Sequence, residues 1–93
     1  MIKIKANIML FKNSRKTPFL SGYRPMFNFI DEMKTSGKVD LIDKNEFYPG
    51  EEAEVYITFI SKKYLGNDFN VGKKFTFGEG EKIMGEGKIT DIF

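Results

Sequence analysis

Apolar and polar residues alternate with a period of two along most of this chain. Ile2, Ile4, Ala6, Ile8 and Leu10 fall on one face of an extended segment, and Lys3, Lys5 and Asn7 on the other. That is the pattern of a long strand buried on one side. Residues 25–30 set Phe27 and Phe29 against Met26 and Asn28, residues 34–37 read as a turn, and residues 38–42 give a short strand with Val39 and Leu41 on one side. Pro49-Gly50 is a strong turn signal, because Pro presets φ and Gly accepts a positive φ. Ala53, Val55, Ile57 and Phe59 then alternate with Glu52, Glu54, Tyr56 and Thr58. Residues 74–77 and 82–93 complete the set, joined by a turn over 78–81. No window keeps a 3.6-residue apolar period. Six short strands separated by Gly/Pro turns predict an all-β, six-stranded antiparallel barrel or a sandwich. The barrel is favoured, since closure removes open strand edges.

At 93 residues the chain is expected to be a single domain over 1–93, without repeats or a linker. Ten Phe and four Tyr supply large rings for the core. The absence of Cys removes disulfides and thiolate chemistry, and the absence of His removes imidazole bases and His-ligated zinc. A non-catalytic protein without a cofactor or metal is expected. The apolar runs are too short to span a membrane, and the first residues lack the apolar block of a signal peptide, so the expected location is cytoplasmic.

Charge is unevenly spread. Residues 1–30 carry Lys3, Lys5, Lys12, Arg15, Lys16 and Arg24 and no acid, leaving nine bases with all thirteen acids in the remainder. Two explanations remain open: an anionic partner such as RNA phosphate, or neutralisation between neighbouring strands of the barrel.

Gly78, Gly80, Gly85 and Gly87 do not make a nucleotide loop. A dinucleotide fingerprint needs Gly where Ile83 stands, a phosphate loop needs Lys where Glu86 stands, and no helix follows. Gly78 and Gly80 are expected to form a hairpin turn, and Gly85 and Gly87 to allow bending or close packing. Glu79, Glu81 and Glu86 lack calcium-loop spacing and read as solvated turn charge.

The most distinctive stretch is residues 15–29, which packs two X-Pro steps, a Gly and four aromatics into a loop running into a strand. Thr17-Pro18-Phe19, Gly22-Tyr23-Arg24-Pro25 and Phe27-x-Phe29 resemble the opening signature of the C-terminal β-barrel domain of translation elongation factor Tu. Tyr48-Pro49-Gly50-Glu51 is similar to that family's Met-Pro-Gly-Asp. Gly72-Lys-Lys-Phe75 and Glu79-Gly80-x-Lys82-x-x-Gly85-x-Gly87 are similar to its closing segments. The likeness covers nearly the whole chain, and implies a third domain standing alone, with no GTPase domain and no nucleotide.

In that family this domain helps to hold the T arm of aminoacyl-tRNA and meets the exchange factor. The resemblance carries tRNA contacts onto Arg15, Ser36, Glu79 and Gly80. The chain departs from the family at Lys16, Met26 and Gly78, where the family has His, Gln and Arg, so a polar amide and a cation are lost from that face. An isolated third domain also lacks most of the tRNA cleft. The expected function is therefore a module that binds a protein of the translation machinery, or a factor that targets elongation factor Tu, acting as decoy, regulator or immunity-type factor. The alternative is binding of tRNA or other RNA through the same surface. The expected contact residues are Arg15, Lys16, Tyr23, Met26, Ser36, Glu79 and Gly80. For a protein partner, Phe19, Tyr23 and Met26 are the expected anchors.

Overall fold

A computed structural model describes all residues, 1–93. Six strands form the fold: β1 (Ile2–Leu10), β2 (Met26–Ile30), β3 (Met33–Leu41), β4 (Glu52–Phe59), β5 (Lys74–Glu79) and β6 (Lys82–Ile92). They close in the order β1-β4-β3-β2-β5-β6, every pairing antiparallel, so no strand edge is left open. There is no helix, and hence none long and apolar enough to cross a membrane.

The alternation dictates which side chains turn inward. Ile4, Ala6, Ile8 and Leu10 from β1 meet Val55, Ile57 and Phe59 from β4 in one core, together with Phe27, Phe29, Phe75 and Phe77. Phe27 sits at its centre, with Phe59 edge-on at 5.3 Å and Phe75 and Phe77 tilted at 5.8 and 5.9 Å. Rings this large leave no room for a side chain on the opposing strand at some points, and those points are glycine. A Cβ on Gly87 would lie 2.6 Å from the Phe75 ring and 2.7 Å from Ile8.

The same requirement corrects the expected turn over 34–37. The turn lies earlier, at Asp31 and Glu32, where Glu32 adopts a φ of 66°. Residues 34–37 belong to β3. Gly37 faces inward, where a Cβ would lie 2.7 Å from the Phe59 ring and 2.9 Å from Phe27. Its smallness serves packing, and a sequence reading mistakes it for turn chemistry. Gly78 departs in the same way: it lies within β5 at a register shift, and only Gly80, with φ of 59°, occupies the hairpin turn.

The strand directions put residues 11–25, the connection 42–51 and the β5–β6 hairpin at one end of the barrel. The β2–β3 hairpin, residues 60–73 and both termini lie at the other.

Candidate functional site

Residues 11–25 behave as an addition to the barrel. The Phe11 amide donates to the Met84 carbonyl, Phe19 and Phe47 exchange a pair of backbone hydrogen bonds, and Gly22 and Tyr23 bond to Val39. Ser14 is buried and its hydroxyl donates back to the Phe11 carbonyl at 2.6 Å. Pro25 is fully buried at the entry to β2. Bonded at three points to β6, Phe47 and Val39, the loop is held against the barrel before any ligand arrives.

Aromatic stacking fills its underside. Phe19 lies between Tyr23 at 4.4 Å and Phe47 at 5.0 Å. Only 2% of Phe19 is exposed, which corrects its expected role as a partner anchor: the ring holds the loop to the barrel. Above it, the Arg15 guanidinium covers the Tyr23 ring at 5.3 Å. The Tyr23 hydroxyl donates to Glu79 Oε2 at 2.6 Å, and Arg15 pairs with the same carboxylate at 3.7 Å. Burial, aided by the hydrogen bond to Glu79 and that group's charge, pushes the Tyr23 phenol well above its ordinary pKa, while Arg15 opposes the shift. The Lys82 ammonium ties the hairpin to the loop a second time, donating to the Ser14 carbonyl at 2.6 Å. The first loop and last hairpin thus form one continuous surface.

The expected residues fall into two groups. Arg15, Tyr23 and Glu79 are joined directly. Met26 and Ser36 are neighbours in the β2–β3 register, Met26 also faces Gly78, and Gly80 accepts a hydrogen bond from Lys34 Nζ at 2.9 Å. Lys16 is exposed beside this cluster and takes part in none of its ion pairs or hydrogen bonds. Tyr23, like Phe19, spends much of its surface inside the loop.

Sequence reading missed Leu20 and Ile83, which are 56% and 58% exposed. Ile83 pairs with Gly78 across the hairpin, so Ser36, Met26, Gly78 and Ile83 stand in one row across four strands. The pairing register reveals that row; the sequence separates its ends by about half the chain.

Of the six bases in residues 1–30, only Arg15 has a carboxylate within ion-pair distance. Lys5 faces Asp91 in the β1–β6 register without forming an ion pair, and Lys3 lies over the Tyr56 ring at 4.4 Å. Close ion pairing therefore accounts for only one of these six charges, while Lys5 lies opposite an acid on the neighbouring strand. Lys12, Lys16 and Arg24 remain exposed on the loop.

No three or more Asp or Glu side chains are gathered where they could hold a metal ion. No protein-family model matches the chain.

Proposed function

We propose that this barrel is a non-catalytic module that binds a protein of the translation machinery, or a factor that targets elongation factor Tu, through the first loop and last hairpin. The observation that carries this reading is a first loop tied by its backbone to β6, Phe47 and β3, with Leu20 exposed on it and Ile83 exposed on the hairpin it contacts. Apolar side chains within a charged rim are what protein interfaces use, and Met and Arg are enriched there. Preordering reduces the entropy lost on association. The resemblance to elongation factor Tu supplies the class of partner, and the reading involves no GTP chemistry. Titration calorimetry with GTP and magnesium should show no saturable binding.

RNA is the second reading, and the exposed Lys12, Lys16 and Arg24 favour it. Capture from a source lysate, with and without nuclease and with the bound species identified, separates the two. A protein partner predicts capture of a translation protein that survives nuclease and weakens little with salt. Leu20→Asp should abolish that capture, with Arg24→Ala milder. Nuclease-sensitive capture that collapses between low and moderate salt, with the basic variants the worst, would overturn the protein reading, because phosphate contacts lose affinity steeply as counterions compete.

A further inference from the structure

In the row Ser36–Met26–Gly78–Ile83, Gly78 carries no side chain, and the Lys82 carbonyl fills the space its Cβ would take. Met26 stands on one side of Gly78 and Ile83 on the other, and all three line a pocket of about 170 Å³. The pocket has an apolar flank and a polar one. Lys34 lines it, its ammonium donating to the Gly80 carbonyl at 2.9 Å, and that ammonium has no carboxylate partner. Asn28 and Thr76 contribute an amide and a hydroxyl that make no side-chain hydrogen bond within the protein. Glu81 is the one acid on the wall, against Lys34 and Lys82.

We propose that this pocket is the anchor point for the protein partner, taking an aliphatic side chain between Met26 and Ile83 while Lys34 receives an adjacent carboxylate. The inference rests on the reading above and narrows it to a partner segment in which an apolar residue neighbours an acidic one. An ammonium with spare N–H donors and no carboxylate partner can donate to an incoming carboxylate. The apolar flank distinguishes this ligand from a phosphodiester, which would leave Met26 and Ile83 without anything to bury against.

The test uses small probes, so it depends on no partner. The ¹⁵N-labelled protein is titrated with N-acetyl-leucine, with N-acetyl-leucinamide and with inorganic phosphate, following the amides of Gly78, Gly80 and Ile83. N-acetyl-leucine should shift these amides saturably. The amide analogue should bind roughly three- to tenfold more weakly, the loss expected for one net hydrogen bond at a solvent-exposed site. Lys34→Met should reduce N-acetyl-leucine to the level of the analogue, and Met26→Asp should remove the response while the other amide signals report an intact fold. Phosphate shifting the same amides as strongly as N-acetyl-leucine would overturn the proposal in favour of a plain anion site. Equal binding of the two leucine probes, or no saturation by either, would overturn it too. Lysate capture tests the wider reading separately: a translation protein captured without any pocket response would leave that reading standing and this one lost.

Discussion

Two long connections of nearly equal length, residues 11–25 and 60–73, close opposite ends of this barrel in different ways. The first is joined by backbone hydrogen bonds to β6, to Phe47 and to β3, so its chain follows the barrel as a partial extra strand. The second bonds within its own turns, Leu65 to Lys62 and Lys73 to Asn70, and meets the barrel only at its end, through Gly72, Lys73 and Ile89. It is held by side chains: buried Leu65, and Phe69 against Phe29 at 5.1 Å. One connection is a scaffolded surface and the other a stopper for the core. The first loop adds backbone ladders to its buried Phe19 and leaves Leu20 exposed, whereas the second relies on Leu65 and Phe69 and leaves Ile60 and Val71 exposed.

That contrast breaks most visibly at Phe19. Phe19→Ala should cost about 3–5 kcal/mol, as for other buried Phe truncations, and should release the first loop. Denaturant midpoints measure the loss, and hydrogen exchange at Phe19, Gly22 and Tyr23 should accelerate relative to β1 and β4. Retained protection there would mean that the stacked rings do not hold the loop.

At the other end, Leu65→Ala should cost about 2–3 kcal/mol, the lower part of the range for Leu truncation, because an end site can collapse more freely than the centre. Binding through the first loop should be unchanged after correction for stability. Loss of binding by this variant in its folded state would erase the division between the ends.

Tyr23→Phe sharpens the comparison within the first loop. It removes the hydrogen bond to Glu79 but keeps the ring, so about 0.5–1 kcal/mol is expected, toward the lower figure because the pair is half exposed and screened. The phenol pKa is raised on folding, so Tyr23 contributes its full stability below the ordinary phenol range and loses it as pH rises above that range. The wild type should therefore weaken at alkaline pH more than Tyr23→Phe does, and unfolding curves at neutral and alkaline pH measure the difference.

The smallest effect belongs to Asp68 in the second loop. The hydrogen bond and charge of Lys73 hold its carboxyl below the ordinary range, so its contribution is present above that range and disappears as pH falls through the lowered value. Asp68→Asn should shift the neutral-pH midpoint only slightly, as an exposed pair does, and should flatten the acid limb of the stability profile.

Much of the fold was legible in the chain. Period-two alternation placed six strands, the third cut short at its start, with their inward faces and the core of Phe27, Phe29, Val55, Ile57 and Phe75, because a strand exposes alternate residues to opposite sides whatever its neighbours are. The X-Pro steps and aromatics of residues 15–29 marked an ordered loop, and Gly80 a turn. Other features depended on which strands became neighbours. Gly37 and Gly78 looked like turn residues, yet one makes room for the Phe59 and Phe27 rings and the other for the Lys82 carbonyl, contacts made across strands. Phe19 had the composition of an anchor until Phe47 and Tyr23 closed over it. Ile83 carried no signal until the register set it beside Gly78 and Met26. Local periodicity decides which way a side chain points; only closure of the barrel decides what it meets, because those neighbours come from strands distant in the chain.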